Sequence, residues 1–141
     1  MQMHPVIFVG AGPGDPELIT VKGQKAMMAA DLVVYAGSLV PETLLEWAKN
    51  AKAVNSAPLH LDEIIHLMAD AVKQGKKVVR LHTGDPSLYG AIQEQIGQLD
   101  QQGIPYTIVP GVTAAFAAAA AMKLEYTLPE ITQTLILTRI A

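Results

Sequence analysis

The sequence predicts an α/β fold, an open and mainly parallel five-stranded sheet with helices on both faces. Three observations carry this. Short unbroken apolar runs recur, at Val6-Ile7-Phe8-Val9, Leu32-Val33-Val34-Tyr35, Val78-Val79-Arg80-Leu81 and Tyr106-Thr107-Ile108-Val109. Continuous runs of this kind suit strands buried on both faces. Helical patterns lie between them, and the alternation of strand and helix marks a doubly wound sheet. Glycine-containing turns follow several of the strands directly.

The elements follow in order. After the first strand comes Gly10-Ala11-Gly12-Pro13-Gly14-Asp15. Thr20 then caps a helix over residues 21–30, with Ala26, Met27 and Ala30 on one side. The second strand breaks at Gly37, and Pro41 suits the first turn of a helix through Trp47. Ala53-Val54-Asn55 is a weak third strand. Asp62 is a cap or first-turn acid for the next helix, whose stripe is Leu61, Ile64, Ile65, Met68 and Val72 and whose end is Gly75. The strand at Val78 runs into the turn Thr83-Gly84-Asp85-Pro86, and a helix is expected over residues 88–102. The strand at Tyr106 leads to Pro110-Gly111 and a helix over residues 112–122. Its alanine cluster, 117–121, reads as a close-packed face. Residues 134–140 read as a last strand, where a cut before a second domain is expected.

Composition narrows the function. The 141 residues fit one domain with one core. Half are apolar and 16% are charged, as in a globular chain. A net charge of −3 counts against nucleic acid as a partner, because phosphate binding needs a basic surface. The absence of cysteine removes disulfides, thiolate metal sites and a cysteine nucleophile. No apolar run reaches the roughly 18–20 residues of a membrane span. Met1-Gln2-Met3-His4-Pro5 runs straight into a strand, so no signal peptide and a cytoplasmic location are expected.

In an open α/β sheet, ligands sit at the carboxyl ends of the strands. Three loops there carry unusual residues: 10–16, 83–90 and 110–114. The first departs from the dinucleotide fingerprint G-x-G-x-x-G, because its third glycine comes one residue early. Pro13 lacks an amide donor and Asp15 adds negative charge, both poor for phosphate. The acid expected after the second strand to hold ribose is missing, since Ala36-Gly37-Ser38 follows Tyr35. No Gly-Lys-Ser/Thr is present to make a Walker A loop. In the second loop Asp85 either accepts from ligand hydroxyls or caps the following helix. The third offers free helix amides and the Thr113 hydroxyl, though alone it is only a helix start. His60 and His66 stand six apart, which is not ligand spacing on a helix, and no metal site is assigned. His82, beside Thr83, is a packed histidine or faces the site.

Together the loops are far more specific than any one alone. Val9-Gly10-Ala11-Gly12-Pro13-Gly14-Asp15-Pro16, Ala30-Asp31-Leu32-Val33-Val34-Tyr35, Arg80-Leu81-His82-Thr83-Gly84-Asp85-Pro86-Ser87-Leu88-Tyr89-Gly90 and Val109-Pro110-Gly111-Val112-Thr113-Ala114 resemble, in order and spacing, the tetrapyrrole (corrin and porphyrin) methyltransferase family. Within it, Tyr35-Ala36-Gly37-Ser38-Leu39-Val40 and the segment from His82 to Tyr89 are similar to the branch that methylates C11 of precorrin-4 or its cobalt form in cobalamin biosynthesis. The resemblance implies a two-domain enzyme, a homodimer, with S-adenosyl-L-methionine in the cleft between its domains. Residues 1–141 would be the N-terminal domain, weak or inactive alone. It implies cofactor contacts at Pro13, Thr83, Gly84, Asp85, Leu88, Thr113 and Ala114. It places Gly12, Gly14, Asp15 and Tyr35 along the substrate trough. Lys22, Lys25 and Arg80 are candidates to meet substrate carboxylates. No catalytic residue carries over, because Ala36 stands where related uroporphyrinogen enzymes have an aspartate. Three other readings stay open: another methyltransferase of the same pathway, a nicotinamide- or flavin-dependent oxidoreductase, and a non-catalytic nucleotide-sensing module.

Overall fold

A computed structural model describes residues 2–140. Five strands form one parallel sheet: β1 (Val6–Gly10), β2 (Leu32–Tyr35), β3 (Lys52–Asn55), β4 (Val78–His82) and β5 (Tyr106–Val109). Their spatial order is β3-β2-β4-β1-β5, so the predicted fold class is correct. The three central strands hold the apolar runs, with β4 buried throughout. The edge strands β3 and β5 are mostly exposed.

Helices cover both faces. α3 (Leu61–Lys73) and α4 (Ile92–Gln101) pack with Val6, Phe8, Val34 and Val78 on one side. α1 (Val21–Ala29) and α2 (Glu42–Leu45) pack with Val9, Val33, Val79 and Leu81 on the other. The split follows from the pleat, since alternate residues of a strand point to opposite faces. Local caps match the reading of the chain. Thr20 Oγ1 accepts from the Gly23 amide at 3.0 Å, and Gly75 takes a φ of +78° just past α3. The residue capping α3 is His60, with Asp62 in the first turn; Glu63 Oε1 accepts from the His60 amide at 3.1 Å.

One feature of the winding positions the site. β1 and β4 are neighbours, yet the helix after β1 covers one face and the helix after β4 covers the other. Their two outgoing loops diverge, and such a switch point leaves a crevice at the carboxyl edge.

Several expectations need correction. Residues 134–140 form no strand: Leu135, Ile136, Leu137 and Ile140 are exposed, with no ladder to join. An apolar β-branched run makes a strand only where a partner strand takes up its amides and carbonyls. The helix expected from residue 88 starts at Ile92, because Tyr89 and Ala91 sit at φ of +56° and +51°, which interrupts a right-handed helix. The third-loop helix, α5 (Ala114–Met122), starts two residues late, behind its cap Thr113. The helix expected from Pro41 is one short α turn followed by a 3-10 turn, Glu46–Ala48. The alanine cluster is not close-packed: within α5 only Ala119 is buried.

Candidate functional site

The three loops meet at the carboxyl edge and hold one another through their backbones. The Ala11 amide donates to the His82 carbonyl at 2.6 Å. Gly12 and Gly84 exchange two hydrogen bonds, with Gly84 N to Gly12 O at 2.8 Å and the return bond at 3.2 Å. Gly111 presses against the Gly84 carbonyl, and a Cβ on Gly10 would lie 2.6 Å from both Gly111 Cα and Gly84 O. These glycines therefore let the protein's own loops approach, rather than a ligand. Gly84 also needs its freedom for φ, which is +60°.

Asp85 locks the crossing. Its Oδ1 accepts from the Ser87 amide at 2.8 Å and its Oδ2 from the Gly111 amide at 2.9 Å. Both readings weighed for Asp85 thus meet a third: it caps its own turn and clamps the third loop to the second. Trp47 fixes the first loop from outside, donating from Nε1 to the Pro16 carbonyl at 3.2 Å.

The crossing borders a cleft of about 550 Å³. Pro13, Thr83, Gly84, Asp85, Leu88, Thr113 and Ala114, the seven residues expected to hold a cofactor, all line it, together with Gly12. Thr113 Oγ1 accepts from the Ala115 amide at 3.4 Å, as the cap of α5. The other expected substrate residues are elsewhere. Gly14 is half-buried at φ +131°, with open space where a Cβ would stand. Asp15 is exposed and caps the turn Pro16–Leu18, accepting from the Glu17 amide at 2.9 Å. Tyr35 packs against the core under α1 and α2. Lys22 and Lys25 are exposed on α1.

Leu39, Tyr89 and Arg139 also line the cleft and were not foreseen. The Arg139 guanidinium stands 5.9 Å from the centre of the Tyr89 ring. Their separation in sequence left no signal for this pair, since only folding brings residue 139 across the cleft. The left-handed conformation of Tyr89 turns its ring outward, 58% exposed.

A second cavity of about 310 Å³ adjoins the cleft and shares Leu39, Thr83, Leu88 and Tyr89 with it. Arg80 and His82 form its inner wall, each only 4% exposed. Arg80 donates from Nε to Gln95 Oε1 at 2.9 Å, and from Nη1 to Ser56 Oγ at 2.9 Å and the Val34 carbonyl at 3.3 Å. Burial lowers its pKa to about 10, which leaves it charged at neutral pH. His82 stacks on Phe8, with ring centres 6.1 Å apart. Burial and then the Arg80 charge lower its pKa to about 4, so the imidazole is neutral. Its Nε2 is buried without a hydrogen-bond partner. Among the described residues, no three His, Asp or Glu side chains gather as metal ligands, and no helix is long and apolar enough to cross a membrane.

The cleft and its neighbour can be set beside known proteins. A family model described as tetrapyrrole (corrin/porphyrin) methylases matches residues 5–141. The chain is 64% identical over 135 residues to the cobalt-precorrin-4 C(11)-methyltransferase of Methanocaldococcus jannaschii, covering 95% of this chain and 52% of that protein. The X-ray structure of a cobalamin biosynthetic enzyme, cobalt precorrin-4 methyltransferase, superposes with a TM-score of 0.94 at 51% identity, covering 97% of this chain and 58% of the other. The uroporphyrin-III C-methyltransferase of Thermus thermophilus, solved with S-adenosylhomocysteine, gives a TM-score of 0.74 at 35% identity, with coverage of 91% and 52%. The chain thus spans about half the length of the relatives it matches.

Proposed function

The chain belongs to the tetrapyrrole (corrin/porphyrin) methylases, and from that premise we propose that it is the first of two α/β domains of an S-adenosylmethionine-dependent methyltransferase. The reaction we assign is methyl transfer to C11 of precorrin-4 or cobalt-precorrin-4 in cobalamin biosynthesis. The carrying observation is the cleft: seven residues drawn from three separate loops line one concavity.

That cleft suits the cofactor. Its volume lies within the roughly 300–1,000 Å³ usual for small-molecule sites. Pro13, Leu39 and Leu88 offer apolar walls, and Ala114 begins α5 at the cleft, directly behind its cap Thr113. When bound, S-adenosylmethionine supplies an electrophilic methyl group, and the new C–C bond forms as the C–S bond breaks, leaving S-adenosylhomocysteine. The chain's own residues position and dehydrate. Asp85 keeps loops 83–90 and 110–114 in register, and Leu88 and Pro13 exclude water. Holding the ring carbon about 3–3.5 Å from the methyl group is most of what such a displacement requires. This agrees with a cleft whose only carboxylate, Asp85, is already engaged by two amides.

The second domain of the reading would close the cleft. It also gives a use to α5 and the segment after it, where Phe116, Met122, Leu124, Leu128 and Ile131 are exposed. We accordingly expect the 141-residue chain alone to be weak or inactive, and the whole protein to be a homodimer.

Titration calorimetry with S-adenosylhomocysteine on the whole protein tests the cofactor site. Asp85→Asn keeps one acceptor oxygen and loses the other, so affinity is expected to fall about tenfold as one clamp bond is lost. Unchanged affinity removes Asp85 from the site, and no binding by the wild type removes the cofactor.

A further inference from the structure

We propose that the smaller cavity is a carboxylate subsite, in which Arg80 and His82 receive one acid arm of a tetrapyrrole lying in the adjoining cleft. The proposal rests on the methyltransferase reading above and adds to it the group that anchors the substrate.

Three observations converge. The first is a buried cation without an anion. Arg80 is 4% exposed, yet its three hydrogen bonds all go to neutral acceptors, on Gln95, Ser56 and Val34. Buried charges in proteins are ordinarily paired, because an uncompensated one is strongly destabilising. A purely structural cross-link between β2, β4 and α4 needs no charge. Nη2 donates to none of the described residues, so one arm of the guanidinium fork is free, and a fork of this shape matches a carboxylate. Gln95 is itself held, donating from Nε2 to the Ala91 carbonyl at 3.3 Å, which keeps its oxygen turned to Arg80.

The second is the orphaned Nε2 of His82, on the same wall. Unsatisfied buried polar atoms are uncommon enough in native structures to require a reason, and a missing ligand oxygen is one. The third is continuity. Thr83, Leu88 and Tyr89 line both cavities, so a ring in the cleft reaches the inner wall with a single side arm. Glu94 is the one acid on the cavity. It is exposed, and no charge partner contributes to the Arg80 environment, so it does not fill the role of counter-ion.

The test is calorimetry of the whole protein with uroporphyrin III, an octacarboxylate probe, beside S-adenosylhomocysteine. Arg80→Gln removes the charge while leaving a neutral amide donor, and His82→Phe keeps the stacking but not the nitrogen. Each is expected to weaken uroporphyrin at least tenfold while S-adenosylhomocysteine still binds. In the wild type, the Arg80 Nε–H and His82 ring signals are expected to shift in NMR spectra on adding propionate, but not propionamide. Undiminished uroporphyrin affinity in both variants overturns the subsite and leaves the methyltransferase reading intact. A wild type that binds neither probe overturns both. If Arg80→Gln does not fold, the propionate titration decides: no shift overturns the subsite.

Discussion

The two cavities at the carboxyl edge share a wall but are built on opposite principles. The larger cleft is shaped by a backbone crossing. At that crossing the polar groups satisfy one another, through the paired amides of Gly12 and Gly84 and the two acceptor oxygens of Asp85. The smaller cavity has an inner wall of buried side chains, and it ends on a cation without an anion and a nitrogen without a partner. The first owes its shape to the close packing of its loops. The second carries an electrostatic deficit that a ligand can relieve. The contrast separates a site shaped by crossing loops from one that ends on an unpaired charge.

The largest expected effect breaks the first principle. Gly10→Ala places a methyl 2.6 Å from Gly111 Cα and Gly84 O, where every neighbour is backbone and none can swing aside. A loss of roughly 3 kcal/mol or more is expected, as for overpacking without relief, measured by urea unfolding. A substitution that leaves stability unchanged would show that the loops cross more loosely than this.

The next effect probes the second cavity through pH. His82 has a folded pKa of about 4 against an ordinary 6.5, so between these values the unfolded chain binds more protons than the folded one. Stability conferred by keeping the ring neutral is full above pH 6.5 and is lost as pH falls toward 4, by up to roughly 3 kcal/mol. His82→Phe removes this slope. Wild type and variant with parallel stability curves from pH 7 to 4 would place His82 in water instead.

A smaller effect separates capping from binding in the first cleft. Thr113→Val removes the hydroxyl that caps α5 through a 3.4 Å bond to the Ala115 amide. Such a long bond places the loss near the lower end of the usual capping range, at about 0.5 kcal/mol, readable as a small fall in Tm. If S-adenosylhomocysteine affinity falls far more than stability does, the hydroxyl serves the ligand and not only the helix.

Much of this site was legible in the chain. The glycine loop, the Thr83-Gly84-Asp85-Pro86 turn and Pro110-Gly111 each follow a recognisable strand, and a parallel sheet sends all such loops to one edge. The less legible features depend on distance along the chain. Tyr89 and Arg139 meet across fifty residues. Arg80 draws its partners from Val34, Ser56 and Gln95, on three other parts of the chain. Residues 134–140 have the composition of a strand, but a strand is a relation between two segments, and pattern alone names only one of them. The alanine cluster went astray in the same way, since small apolar residues declare that they can pack without saying against what.

By itself the sequence determined the alternation of strands and helices, their approximate bounds, and the three loops at one edge, because periodicity, caps and turn residues act within a few positions. Only the tertiary structure decided what those loops do to one another. It turned Gly10 and Gly111 into a crossing point and Asp85 into a clamp, and it set Arg80 and His82 side by side in a cavity. The physical reason is that hydrogen-bond partners, desolvation and close approach belong to pairs of groups, and the pairs are made by the fold.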